Sequence, residues 1–268
     1  RDNMVFVRQL ARKFAVPNAQ SLGAPALDND PADPTWTQEI ATGNADSTMT
    51  VGKRELAPKP LAQSIRVSNK LIRAGALSIE SLVRERLNYK IAVVEEENFL
   101  NGDGATEPLG VFTASNDGIS TSRDVSTGNT TTEIKPDNLF EQKYALKAQY
   151  RRNAAWVFHR DAVKMIAKLK DGEGRYLLVP DVRAAGNMDR LLGFPVYESE
   201  YAPNTFTTAL YVGILGDFSF VWIADALDAT IYVARELYLA TNQTGFFSRS
   251  ETDAMPVLES AFSRVKLA

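Results

Sequence analysis

The chain has 268 residues, of which 44% are hydrophobic and 24% are charged, so it can bury the core of one or two domains. Its 30 basic and 33 acidic residues give a formal net charge of −3, which argues against a protein that reads DNA sequence. The absence of cysteine excludes disulfides, thiolate nucleophiles and cysteine zinc sites, and no apolar run approaches the ~20 residues that cross a membrane.

Prolines and glycines interrupt the first 77 residues, which predicts extended chain with few helices. Residues 35–40 and 47–56 alternate apolar with polar side chains, as expected for the two strands of a β-hairpin with a polar turn over 42–46. A two-stranded ribbon is marginally stable alone in water, so we expect another chain or domain to cover it. Trp36 lies in this ribbon and is either an anchor between chains or a side chain packed on its own domain.

Residues 78–100 form the longest predicted helix, about 30–35 Å in length. Ser78 is expected to cap its start, and Gly102 to end it in the left-handed conformation. The carboxylates of residues 95–97 point about 100° apart on a helix, so they cannot converge on one metal ion, and we interpret them as a solvated face. The expected buried face is formed by Ile79, Leu82, Val83, Leu87, Ile91, Val94 and Asn98.

A polar stretch over 116–132 predicts a loop, after which helices and strands alternate in a second module. Helices are expected to begin at Pro136 and at Arg160. His159, the only histidine, has no serine or cysteine nucleophile motif beside it, so we interpret it as a strand-end side chain bonded to backbone. No catalytic, cofactor or metal site is predicted. Strands are predicted over residues 154–158, 176–179, 191–197, 209–215, 220–224, 229–234 and 261–267.

Several short segments stand in a characteristic order along nearly the whole chain, from about residue 14 to its end. They are Trp36-Thr-Gln-Glu39, Ile65-Arg-Val-Ser-Asn-Lys-Leu-Ile72, Asn101-Gly-Asp-Gly104, Pro108-Leu-Gly-Val-Phe112, Ala154-Ala-Trp-Val-Phe158, Leu191-Leu-Gly-Phe-Pro-Val196 and Leu215-Gly-Asp-Phe-Ser219. Each segment alone is weak evidence for any family, but the order and spacing of the segments together are more specific. Together they resemble the major capsid proteins of tailed bacteriophages, the Hong Kong 97 type of shell subunit.

The resemblance implies an α+β capsid fold divided into several parts. These are an N-terminal arm over 1–30, an extended β-hairpin loop over 31–62, a peripheral domain over 63–132 and 241–268 with a spine helix over 78–100, and an axial α/β domain over 133–240. It also implies a structural protein and not an enzyme. Hexamers and pentamers of the chain would form an icosahedral shell around double-stranded DNA, as part of a virion assembled in the bacterial host cytoplasm.

The resemblance further implies partners, namely a scaffolding segment or protein, a maturation protease and DNA that is bound nonspecifically, with no membrane and no cofactor. Proteolytic removal of an upstream segment would account for a chain that begins at Arg1, and a cloning boundary explains this start equally well. An encapsulin-like compartment of the same fold with a cargo enzyme is the nearest alternative. A small α/β enzyme is a second alternative, and the lack of histidine and cysteine constellations argues against it.

In that family the extended loop lies over a neighbouring subunit. The candidate contacts between subunits are therefore Trp36, Glu39, Lys53, Arg54 and Lys59. Some members also join a loop lysine to an asparagine of a neighbour with the help of a glutamate. Lys53 or Lys59 and Asn242 are candidates for the joined pair, but residues 248–251, where the glutamate is expected, read Ser-Arg-Ser-Glu and do not align clearly with the family's pattern. We therefore expect no crosslink.

Overall fold

A computed structural model describes residues 5–17, 21–29, 50–74, 78–170, 173 and 190–268. The α-helices in these ranges are α1 (Phe6–Leu10), α2 (Asn69–Ala74), α3 (Ile79–Asn101), α4 (Pro136–Ala145), α5 (Ala148–Arg151) and α6 (Arg160–Ala167). The strands are β1 (Arg12–Ala15), β2 (Leu22–Asn29), β3 (Thr50–Leu56), β4 (Lys59–Ser68), β5 (Asp124–Val125), β6 (Ala155–Phe158), β7 (Arg190–Leu191), β8 (Phe194–Glu198), β9 (Tyr211–Gly216), β10 (Val221–Ala234), β11 (Gln243–Pro256) and β12 (Phe262–Lys266).

A four-stranded sheet has the order β1-β10-β11-β4, with β1 parallel to β10 and the other pairs antiparallel. Alternate residues of β11, such as Phe246 and Ser248, are buried, and the sheet contacts the long helix α3. The intervening Phe247 is half-buried and Arg249 is exposed. Because successive strand residues point to opposite faces, the sheet has one covered face and one open face.

A six-stranded sheet has the order β5-β12-β9-β6-β8-β7 and holds a second part of the core. All four residues of β6 are buried, which agrees with its unbroken apolar sequence. Trp156 stacks on Phe158 and donates a hydrogen bond of 3.1 Å from its indole nitrogen to the carbonyl of Leu191. Helix α4 packs against β5 and β12. The Trp156 bond fixes β7 to β6 within this core.

A two-stranded ribbon of β2 and β3 stands apart from both sheets in its hydrogen bonding. Its antiparallel register runs from Leu22 opposite Leu56 to Asn29 opposite Thr50. The second predicted ribbon strand is therefore confirmed over 50–56, but its partner in the described chain is β2. The first predicted strand, over 35–40, lies outside the described residues, as does the strand predicted over 176–179.

The long helix is confirmed as α3, and the Ser78 hydroxyl accepts its capping bond from the amide of Ser81 at 3.4 Å. Two details of the prediction were wrong. Leu82 is 48% exposed, because the packed part of the helix is its C-terminal half, where Phe99 is 1% exposed. Gly102 has φ of −58°, so it is not left-handed. A Cβ at this position would overlap the carbonyl oxygens of Pro108 in the following turn and of Asn98 in α3, so only glycine fits there.

Several other elements differ from the expectations. Helices α1 and α2 lie in a region predicted to be extended, and β10 is one strand where two were predicted. The stretch predicted as a loop holds β5 and the fully buried Ile119.

The strand partners also differ from the predicted grouping. Strand β10 was grouped with the axial domain but pairs with β11 in the four-stranded sheet, whereas β12 was grouped with the peripheral domain but pairs with β9. Alternation along a strand predicts that it is a strand, but it carries no information about the strand's partner. The boundaries of the arm, loop, peripheral and axial domains remain a prediction.

Candidate assembly surfaces and the contacts beneath them

The root of the ribbon is anchored on the four-stranded sheet by Arg54 and Leu56. Arg54 Nη1 donates hydrogen bonds to the carbonyl oxygens of Pro256, at 2.9 Å, and of Asp117. Leu56 is fully buried in a small apolar cluster that includes Met255. Arg54 was predicted to contact a neighbouring subunit, and the structure gives its guanidinium partners within its own chain. These contacts hold the end of β3 against the end of β11.

Lys59, the next predicted contact residue, also binds within its own chain. Its Nζ donates to the carbonyl oxygens of Gly104, at 2.8 Å, and Glu107, at 2.7 Å, in the turn that follows α3. Asp253 Oδ1 lies 3.9 Å from Lys59 Nζ, and Asp253 Oδ2 accepts a bond of 2.8 Å from the amide of Ala57. Burial raises the pKa of Asp253, and the nearby lysine partly opposes this effect. The ribbon root and the end of the long helix are thereby joined.

The remaining predicted contact residues have different placements. Trp36 and Glu39 lie outside the described residues, and the backbone of Lys53 is paired with that of Pro25 in the ribbon. Asn242 has a left-handed φ of 52° in the turn before β11, and its Oδ1 accepts a bond of 3.1 Å from Asn69 Nδ2.

The candidate crosslinking residues Lys59 and Asn242 lie at opposite ends of the four-stranded sheet. In the register of β11 with β4, Lys59 pairs with Thr252 and Ser68 pairs with Gln243, the residue that follows Asn242. Nine residues of strand correspond to about 30 Å. The structure therefore does not bring Lys59 and Asn242 together within one chain.

The open face of the four-stranded sheet is formed by Arg66, Tyr232, Tyr238, Phe247 and Arg249. Tyr238 returns from the turn after β10 and stacks on Phe247, with ring centroids 6.4 Å apart and planes at 13°. The guanidinium of Arg66 lies 4.4 Å from the Tyr238 ring centroid. Tyr232 is 59% exposed. Arginine and aromatic side chains that lie together on an exposed surface are typical of protein interfaces.

The turn between β10 and β11 presents further apolar surface at the tip of the sheet. Leu237 is 64% exposed and Leu239 is 71% exposed, and Leu71 of the adjacent α2 is 52% exposed. Isolated exposed leucines are common, but three of them in two neighbouring segments form a candidate contact area. The sequence analysis missed them, because exposure depends on the turn conformation and not on residue type.

A buried ion-pair network holds the N-terminal segment in place, and no local sequence pattern predicts this network. Arg8 Nε donates to Glu95 Oε2 at 2.9 Å, and both Arg8 Nη atoms donate to the carboxylate of Asp225 at 2.8 Å. The guanidinium also lies 5.5 Å from the ring centroid of Phe99. Burial opposes the charge, but the hydrogen bonds and charges of the two acids raise the pKa of Arg8 above its usual value. The solvated face predicted over 95–97 is therefore wrong at Glu95.

Glu96 is the second acid of that helix to be buried. It accepts a hydrogen bond from the Ser199 hydroxyl, and burial raises its pKa. Together with Tyr89, Glu200 and Tyr201 it lines a groove between α3 and the segment after β8. Burial also raises the pKa of Tyr201. Among the described residues, no three His, Asp or Glu side chains are grouped to hold a metal ion.

His159 is 3% exposed and caps the start of α6. Its Nδ1 accepts a hydrogen bond of 3.1 Å from the backbone amide of Asp161, which confirms the interpretation of a strand-end histidine bonded to backbone. Its Nε2 lies 3.5 Å from a carboxylate oxygen of Glu200. Of the helices that the structure describes, none has the length and apolar character needed to cross a bilayer.

The family profile described as the Phage capsid family matches residues 2–267. The chain is 30% identical over 210 residues to the major capsid protein of Enterobacteria phage HK97, which covers 74% of this chain and 51% of that protein. The chain thus spans about half the length of this relative. These matches confirm the resemblance noted in the sequence.

The fold is similar to that of solved capsid structures. The capsid of a native GTA particle has a TM-score of 0.86 at 25% identity, covering 100% of this chain and 91% of that one, so the expected α+β capsid fold is confirmed. An encapsulin of Synechococcus elongatus has a TM-score of 0.69 at 13% identity, covering 97% and 86%, a likeness that shows the fold alone. With its profile match over nearly every residue, the chain belongs to the phage capsid family.

Proposed function

We propose that the chain is a structural major capsid protein, copies of which assemble into an icosahedral shell around double-stranded DNA. The observation that carries the proposal is the ribbon. Its two strands pair only with each other in the described chain, and the anchoring contacts found for it lie at its root, around Arg54 and Leu56. A ribbon of this kind is marginally stable alone, so the cover of a neighbouring subunit stabilises it.

Shell formation also accounts for the absence of an evident reaction centre in the described residues. The charged groups that are buried there, such as Arg8 and Arg264, are held in ion pairs that join distant segments of the chain. The family match and the capsid-like fold support a structural role. As further parts of the proposal, a scaffolding segment or protein and a maturation protease act in assembly, which takes place in the host cytoplasm and leads to a virion.

DNA is the proposed content of the shell, held without base recognition. With a formal net charge of −3, the chain has no overall attraction for phosphate, so the contact is restricted to local groups of lysine and arginine. The encapsulin alternative places a protein cargo inside the same fold. The fold cannot separate the two, and the HK97 relationship supports the phage capsid function.

Negative-stain microscopy and sedimentation of the expressed protein test the proposal. We expect closed particles of uniform size, and we expect particles recovered from a phage-producing host to contain nuclease-protected DNA. A chain that stays monomeric at high concentration would contradict shell assembly. Closed particles that repeatedly contain one cargo protein and no DNA would favour the encapsulin alternative.

A further inference from the structure

We propose that the helices packed on the six-stranded sheet carry the surface that meets the phosphates of the enclosed DNA. These helices are α4, α5 and α6. The inference rests on the proposed function, because it assigns the DNA contact of the shell to named residues on one side of the subunit. Five exposed cationic side chains form what we call the basic surface, namely Lys147, Arg152, Arg160, Lys164 and Lys168.

The three helices form one layer on the six-stranded sheet. Trp156 and Val157, which are adjacent in β6, belong to two different apolar clusters on opposite faces of the sheet. Leu139 of α4 and Ile166 of α6 both lie in the cluster of Trp156. Leu146, between α4 and α5, lies there as well. Because α3 contributes to the other cluster, the layer is on the side of the sheet that faces away from α3.

Positive charge is concentrated in this part of the chain. Residues 142–170 contain eight lysines and arginines and a single acidic residue, Asp161, so the formal charge of this segment is +7. The whole chain has −3, so the remaining residues together carry −10. A basic face on an otherwise acidic subunit directs a polyanion to that face and away from the rest of the surface.

Most cations of the basic surface have no acidic partner. Apart from Arg160, none of them has an aspartate or glutamate of the described chain within ion-pair distance. Arg160 lies 3.4 Å from Glu200, and both side chains are exposed to solvent. These cations can therefore exchange water and counterions for phosphate oxygens without breaking a buried contact.

The cations form a row and are not gathered at one point. Arg160, Lys164 and Lys168 stand four residues apart, so they follow one side of α6 over about 12 Å. On α4, Tyr144 is 66% exposed, and the guanidinium of Arg151 lies 5.4 Å from its ring centroid. A tyrosine hydroxyl donates to phosphate oxygens, as lysine and arginine do. A row of donors suits an extended polyanion better than a small ion.

A second copy of the chain fits the basic surface less well than DNA does. Lysine is depleted in protein interfaces, whereas three of the five cations here are lysines. Within the described chain, the large apolar side chains exposed in this layer are Phe140 and Tyr144, both on α4. The cations of α6 therefore lack the apolar centre that is typical of an interface between proteins.

Binding of unassembled subunits to a duplex of about 30 base pairs, measured by fluorescence anisotropy, tests the surface. Each phosphate contact contributes about −0.9 to the slope of log affinity against log salt concentration, so the loss of four contacts should reduce the slope by about 3.6. Between about 50 and 200 mM salt, this difference corresponds to about 150-fold in affinity. The fourfold variant carries Lys147→Gln, Arg152→Gln, Lys164→Gln and Lys168→Gln.

A matched control removes the same charge from exposed positions outside the layer. We expect it to keep the slope of the unmodified chain to within about one phosphate contact. Exposed substitutions of this kind rarely disturb folding, and circular dichroism checks this for both variants. The control carries Lys70→Gln, Arg73→Gln, Lys90→Gln and Arg249→Gln.

Acetylation of lysines gives a second readout in assembled particles. In DNA-filled particles, Lys147, Lys164 and Lys168 should be protected from a small amine reagent, and removal of the DNA should abolish this protection. Lys90, which is exposed on α3, should react equally in filled and emptied particles. We also expect the fourfold variant to form closed particles, because the basic surface does not join copies of the chain.

The outcomes separate this inference from the proposed function. Failure of the unmodified chain to form particles would overturn the proposed function, and with it the assignment of the basic surface to enclosed DNA. If particles form, this inference alone is overturned by a lack of DNA binding by unmodified subunits, by an unchanged slope in the fourfold variant, or by equal acetylation with and without DNA. A folded fourfold variant that no longer assembles would also overturn it, since the basic surface would then join copies of the chain.

Discussion

Replacing Arg264 with methionine is expected to cost this protein about 3 kcal/mol in free energy of unfolding, at the lower end of the range for breaking a buried ion pair. Arg264 is 0% exposed, and its Nε and Nη2 lie 2.8 and 2.7 Å from the Oδ1 of Asp124. Nη2 also donates to the carbonyl of Ser120 at 2.9 Å, and the guanidinium lies 4.4 Å from the ring centroid of Tyr211. One side chain thus joins β12 to the segment that precedes α4.

The magnitude follows from the partners that the substitution leaves behind. Asp124, with a side chain 7% exposed, loses its main counter-charge but keeps Lys266 Nζ at 3.5 Å and the hydroxyl of Tyr211 at 2.9 Å. The remaining partners reduce the cost below the ~5 kcal/mol of an isolated buried charge. An additional Asp124→Asn change should therefore recover part of the loss, with a coupling energy of about 1–3 kcal/mol.

Guanidinium unfolding of unassembled subunits, followed by tryptophan fluorescence, measures both quantities. Arg152→Met, at an exposed position, is the control and should stay within about 0.5 kcal/mol of the unmodified chain. The reasoning fails if Arg264→Met also stays within 1 kcal/mol, or if the losses from Arg264→Met and Asp124→Asn are simply additive.

Four further substitutions test individual side chains. Leu87→Asp should prevent soluble folding because Leu87 is 0% exposed, whereas Leu82→Asp, at 48% exposure on the same helix, should leave circular dichroism and solubility unchanged. Burial raises the pKa of Glu96 in the folded protein. The protonated side chain therefore contributes stability below the unfolded pKa of about 4.3, and this stability is lost as pH rises through the folded pKa. Glu96→Gln, which stays neutral, should melt at a higher temperature than the unmodified chain at pH 7 and at the same temperature at pH 3.5. Trp36→Ala should give a folded subunit that forms few particles by microscopy.

Each expectation has a result that contradicts it. A soluble, cooperatively folded Leu87→Asp protein would mean that Leu87 does not belong to the packed face of α3. A Glu96→Gln variant that is less stable than the unmodified chain at pH 7 would show that the carboxylate is stabilised by its hydrogen bonds more than burial opposes it. Normal particle yield from Trp36→Ala would remove that residue from the set of contact candidates.

The sequence predicted those elements whose signals are local. Helix α3 begins at a serine cap, and β6 is an unbroken apolar run, so their existence was predicted from residues adjacent in the chain. The burial of Glu95 was not predictable in this way. It depends on Arg8, 87 residues earlier, and an ion pair between distant segments leaves no periodicity in either one. From residue type alone, the side chains of both Arg8 and Glu95 would be expected to be exposed to solvent.

The candidate contact residues show the same limit. Arg54 and Lys59 are charged residues in a predicted ribbon, and exposure was the natural expectation for them. In the structure, both side chains donate hydrogen bonds to backbone carbonyl oxygens of their own chain, and these bonds stabilise the ribbon root. Lysine and arginine side chains are long and can reach many hydrogen-bond acceptors. Their partners therefore depend on which loops lie nearby in the folded chain, and the sequence pattern does not define this.

Arg249 connects the contact surface with the question of crosslinking. It lies within residues 248–251, where crosslinking relatives are expected to hold a glutamate, and its side chain is exposed on the open face. A guanidinium stays protonated in proteins, so it cannot take a proton from a lysine amine, and it repels the ammonium form of that lysine. The same group attracts carboxylates. We therefore expect denaturing gels of mature particles to show only the monomer band. A ladder of covalent multimers would show that another residue supplies the base and would remove Arg249 from this argument.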